Sequence, residues 1–101
     1  MLVYLDNILS IVLKLPQEIQ LELAQRAKAL RKAHGLSQSQ LAEKSGVSFG
    51  SIKRFERSGK ISLESLLKIA FVLDALASFE QLFPPKPFMP GSLDEIINSK
   101  R

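Results

Sequence analysis

Between Ser48 and Lys60 the chain gathers side chains suited to an anionic, hydrogen-bonding surface: Ser48, Phe49, Ser51, Lys53, Arg54, Arg57 and Lys60, with Gly50 among them. On a helix, Gly50, Lys53, Arg54 and Arg57 share one face at i, i+3, i+4 and i+7, while Ile52 and Phe55 are spaced to face a core. Lysine is a point charge for phosphate oxygens. Arginine adds a rigid fork of donors that fits phosphates and paired acceptors on a flat edge. The pattern is one of binding. There is no nucleophile–base arrangement, metal-ligand cluster or phosphate-cradling loop, so no enzyme activity, cofactor or metal is expected. Cysteine is absent, which excludes disulfides, zinc-thiolate sites and thiol catalysis. His34 is the sole histidine; at a helix end its default role is on the surface, complementing the helix dipole.

Such a face must be held by other elements, and the start and stop signals place them. Pro16 opens a helix to about Ala33, with Glu18 and Glu22 early and Arg26, Lys28, Arg31 and Lys32 late. Its expected apolar stripe is Ile19, Leu23, Ala27 and Leu30. Gly35 reads as a left-handed stop. Ser37 and Gln40 fit a capping box for a short second helix ending at Gly46. Ser48 caps a third, which ends near Gly59. Ser62 caps a fourth from Leu63, with Leu63, Leu66, Leu67, Ala70 and Leu73 as its apolar face. A fifth covers roughly 76–83, anchored by Phe79, Leu82 and Phe83 and ended by Pro84 and Pro85.

The expected architecture is all-α, with residues 1–15 as an apolar extension, 16–83 as the domain, and 84–101 as a proline-rich linker and tail. Leu2, Leu5, Leu9, Val12 and Leu13 recur at near-helical spacing, which suits either a helix packed on its own domain or a dimer contact. Ser92 and Glu95 form a second capping-box match. The apolar start carries Asp6, Asn7, Ser10 and Lys14 and falls short of the ~20 residues that span a bilayer. Neither a signal peptide nor a membrane span is expected. The chain has 101 residues, 46 % of them apolar, and a net charge of +4. That suits a single folded domain with an anionic partner, without naming the partner.

Two short helices joined at Gly46, the second with a core side and a cationic side, have the form of a helix-turn-helix unit. The chemistry then points to double-stranded DNA. Residues 26–83 resemble the lambda repressor/Cro-like, or XRE, helix-turn-helix family. The resemblance rests on Leu30-Arg31-Lys32, Gly35-Leu36-Ser37-Gln38, Leu41-Ala42, Gly46-Val47-Ser48, Ser51-Ile52, Phe55-Glu56, Gly59 and Leu66-Leu67-Lys68-Ile69-Ala70. It implies a five-helix DNA-binding domain whose third helix enters the major groove. It also implies that Arg31 pairs with Glu56 as scaffold, that Gln38 contacts backbone phosphate, and that positions 48, 49, 50, 51 and 54 face base edges or flanking phosphates. The departure is Gly50, where the family usually has a polar, base-reading side chain. Readout then falls on Ser51, Arg54, Lys53 and on Phe49 against thymine methyls. Phe49 has a core reading beside that one, and Lys60 is either a phosphate ligand or a solubilising charge.

Residues 45–83, above all Phe49-Gly50-Ser51-Ile52-Lys53-Arg54-Phe55-Glu56, are most similar to HipB-type antitoxins. That resemblance implies a cytoplasmic, nucleoid-associated homodimer that represses its own operon at an inverted repeat and binds a HipA-like kinase toxin. A free-standing phage-type or metabolic repressor fits the same residues, as does a protein-binding module that has lost DNA reading.

Overall fold

The computed structural model describes residues 14–85. Among these residues the fold is all-helical, in five helices: α1 (Pro16–Ala33), α2 (Gln38–Ser45), α3 (Phe49–Ser58), α4 (Leu63–Val72) and α5 (Leu76–Glu80). The expected all-α, five-helix architecture holds. The apolar pattern of residues 2–13 and the capping-box match at Ser92 and Glu95 lie outside the described residues. No described helix is long and apolar enough to cross a membrane.

Local chemistry explains the helix ends. Pro16 occupies the first turn of α1, where a missing N–H costs nothing. Ser37 Oγ accepts the Gln40 N–H at 3.0 Å, and Gln40 Oε1 accepts the Ser37 N–H at 2.8 Å. Ser48 and Ser62 cap α3 and α4 in the same sense, each accepting an N–H three residues on. Between α2 and α3 the chain turns through Gly46 at φ +76°, a conformation that is costly for a residue with a Cβ.

The core consists of Ala24, Leu41, Val47, Ile52, Phe55, Ile69 and Leu73, with Ala27, Leu36, Ala42, Ile61, Leu66 and Val72 packed around it. Helix α1 packs chiefly on α3, α2 touches both α3 and α4, and α5 rests on α4. Helix α3 is thus gripped from two sides.

The seam of α1 lies one residue away from the expected stripe. Ala24 is fully buried, while Ile19 and Leu30 are exposed. The contact line runs through Gln20, Ala24, Ala27 and Arg31. Close approach sets this rotation: a Cβ on Gly59 would come within 2.8 Å of the Gln20 backbone. A small residue at 24 permits such an approach, and a leucine does not. Leu23 and Leu30 turn instead toward Leu66, Ile69, Leu73 and Phe79, lining a shallow apolar groove.

Two further expectations are corrected. Leu63 is 66 % exposed and lies off the α4 face; Ile69 takes the core place instead. Helix α5 stops at Glu80, and Phe83 adopts φ +50° and is 97 % exposed. Leu82 is also exposed, so Phe79 alone of the three anchors turns inward. The α4–α5 corner is made by Asp74 at φ +56°, a left-handed position that aspartate tolerates better than most residues.

Candidate nucleic-acid interface

Helix α3 has two unlike sides. Ile52 and Phe55 are buried to 0 % and 1 % exposure, whereas Phe49, Gly50, Ser51, Lys53, Arg54 and Arg57 are exposed. Burying one side fixes the other in space, so its outward residues project from a rigid support.

The inward side also carries an ion pair. Arg31 Nε donates to Glu56 Oε2 at 2.7 Å, and Arg31 Nη2 donates to Glu56 Oε1 at 3.0 Å. A third donor, Nη1, reaches the Leu36 carbonyl at 2.8 Å. Gln38 Nε2 donates to Glu56 Oε1 at 2.9 Å. One carboxylate therefore joins α1, α2 and α3. Burial raises the Glu56 pKa. The hydrogen bonds from Arg31 and Gln38, with the charges of Arg31 and Lys28, outweigh this and hold it below its ordinary value. Both side chains are nearly buried, so removing either partner leaves an unmatched charge, at a cost of ~3–5 kcal/mol.

The phosphate contact expected of Gln38 needs a donor, because phosphate offers only acceptors. One of its two amide hydrogens is committed to Glu56. The other remains, so Gln38 can face a phosphate only while bridging to α3. The sequence pattern does not reveal this bridge.

On the outward side, Phe49 is 46 % exposed, which removes the core reading of this residue. Lys53 Nζ lies 5.2 Å from the centre of its ring, within cation–π range. Ser48 Oγ donates to Ser51 Oγ at 2.7 Å and accepts the Ser51 N–H at 3.1 Å. The Ser51 hydroxyl keeps its own hydrogen for an outside acceptor. Arg54 and Lys60 converge with Ser51 and Ile61 around a shallow depression of about 290 Å³. None of Lys53, Arg54, Arg57 and Lys60 forms an ion pair with a described residue.

Ser58 positions this cluster. Its hydroxyl donates to the Arg54 carbonyl at 2.7 Å and accepts the Lys60 N–H at 3.2 Å. It thereby ties the end of α3 to the strand-free segment that carries Lys60. A serine in the last turn of a helix favours such back-bonding to the carbonyl four residues before it, and Ser58 directly before Gly59 is the sequence signal for it.

Exposed hydroxyls, an aromatic ring and three arginine or lysine heads on one side of a capped helix offer donors to phosphates and contacts to groove edges. Among the described residues no three His, Asp or Glu side chains gather to hold a metal ion. Residues 28–75 match the family described as Helix-turn-helix. The match spans Arg31, both helices of the turn, Lys60 and α4. No curated protein and no solved structure matches the chain.

Proposed function

We propose that this helix-turn-helix chain is a homodimeric, sequence-specific transcriptional repressor and the antitoxin partner of a HipA-like kinase. One observation carries the DNA reading: α3 is locked from within by Arg31, Glu56 and the buried Ile52 and Phe55, while Lys53, Arg54 and Lys60 face outward without an ion-pair partner among the described residues, beside the Ser51 hydroxyl. Arg54 and Ser51 serve as base or phosphate donors, Phe49 as an apolar reader, and Lys53, Lys60 and Gln38 as phosphate ligands. Ser48 holds the leading turn. Two copies would set their α3 helices in half-sites about 34 Å apart, one turn of B-DNA. Support for the kinase partner comes from the HipB-type phrase at residues 45–83.

The DNA reading is tested by titrating the full chain against an inverted repeat near its own start codon, at 50 and 200 mM salt. Several phosphate contacts should weaken binding by orders of magnitude over that range. An unchanged binding constant would overturn the reading. The antitoxin reading is tested at the neighbouring reading frame: a HipA-like kinase there that co-elutes with this chain as a stable complex retaining DNA binding supports it, and a frame of another kind, or separate elution of the two proteins, counts against it.

A further inference from the structure

Gly50 is a glycine that the fold itself does not need. Gly35, Gly46 and Gly59 all adopt positive φ, and Gly59 also lies against the Gln20 backbone. Gly50 does neither. It sits inside α3 with ordinary helical geometry, and a Cβ built on it would meet no atom of a described residue within 4 Å. Glycine in a helix costs conformational entropy relative to alanine. The molecule accepts that cost at the leading turn of its outward helix without any compensating contact among the described residues.

The neighbouring side chains leave the space over Gly50 open. Lys53, one turn on, is drawn to the Phe49 ring at 5.2 Å. The Ser48 and Ser51 hydroxyls bond to each other at 2.7 Å. The result is a bare stretch of backbone with an aromatic ring at its edge. It cannot offer a polar base edge a side-chain hydrogen bond; it can offer apolar contact and closeness. In the major groove the apolar group on a base edge is the thymine C5-methyl.

We propose that Gly50 is a specificity-determining clearance that admits a thymine methyl against the α3 backbone, with Phe49 as its second wall. The proposal rests on α3 being the DNA-reading helix. It assigns position 50 a preference for thymine through the absence of a side chain.

The experiment selects binding sites from a randomised duplex pool with the full chain, then replaces each thymine of the recovered site by uracil, which removes the methyl alone. Wild type should lose about fourfold in affinity at one thymine per half-site, the worth of one buried methyl-sized group. Gly50→Ala should raise Tm by roughly 2–8 °C and weaken binding to the thymine site about tenfold, as a single mismatched step does. Its binding should recover on the duplex carrying uracil at that same step, because the methyl has moved from DNA to protein. The proposal is overturned if Gly50→Ala binds the thymine site as tightly as wild type, or loses equally on every uracil-substituted duplex. A lowered Tm would also overturn it, by showing the glycine to be structural. Failure of wild type to select any site would instead sink the DNA-reading function itself, and the clearance with it.

Discussion

The two sides of α3 differ in what their residues answer to. Inward, Ile52, Phe55 and Glu56 each meet a defined neighbour, and almost nothing about them is free to change. Outward, Phe49, Gly50, Ser51, Lys53 and Arg54 meet solvent and one another. The inner side spends its chemistry on placing the helix, and the outer side holds donors and an aromatic ring without partners from another described helix. Mutations on the two sides should therefore separate stability from binding.

The largest effect is expected at the ion pair. Glu56→Ala or Arg31→Ala should cost ~3–5 kcal/mol, seen as a large fall in Tm, with DNA binding lost as a consequence. Glu56→Gln should cost less, because an amide still accepts from one donor. Gly59→Ala comes next. Positive φ and a Cβ within 2.8 Å of the Gln20 backbone act together, for roughly 2–4 kcal/mol of destabilisation in chemical denaturation. Gly46→Ala, with the same sign of φ but open space around it, should cost about half of that. An equal cost at the two glycines would break the argument that α1 seats directly on the end of α3.

Outer-side changes other than Gly50→Ala should leave Tm nearly unmoved. Arg54→Ala is expected to shift stability by less than ~0.5 kcal/mol while costing ~1–3 kcal/mol in DNA binding. A loss confined to one base position marks base reading, and a uniform loss reassigns the residue to phosphate. Acidification sharpens the comparison from the other side. Glu56 is held below its ordinary value of 4.5, so the unfolded chain binds its proton first. Stability from this group is complete above about pH 4.5 and is lost as pH falls through the folded-state pKa. Acid unfolding followed by circular dichroism should show this loss in wild type, and Glu56→Gln should flatten it. The smallest effect belongs to Lys60→Gln, which should leave specificity intact and reduce the salt slope of binding by about 1.

Helix positions were legible in the sequence because local chemistry decides them. Ser37, Ser48 and Ser62 cap, and Gly46 and Gly59 stop, whatever the tertiary context. The rotation of α1 was not legible. Ile19-Leu23-Ala27-Leu30 and Gln20-Ala24-Ala27-Arg31 interleave on the same helix, and hydrophobicity favours the first. Close approach to Gly59 and the reach of Arg31 to Glu56 select the second. The end of α5 was not legible either: aromatic residues before a proline pair read as anchors, whereas left-handed Phe83 points away from the domain. Gly50, Lys53, Arg54 and Arg57 were legible as one outward face, since helical spacing alone gathers those four, whereas Phe49 suited a core place equally well and only its exposure decides. The ties among them, Lys53 to Phe49 and Ser58 to Arg54 and Lys60, depend on rotamers that spacing does not specify.

The division of α3 into a holding side and a reading side is tested most directly by titrating the selected DNA duplex into the ¹⁵N-labelled chain and following each backbone amide. The largest shifts should fall on Phe49, Gly50, Ser51, Arg54 and Lys60, with Gln38 beside them and the exposed α4 surface around Phe71 unmoved. Shifts concentrated at Phe71 and Leu76, with residues 48–54 unchanged, would contradict the account.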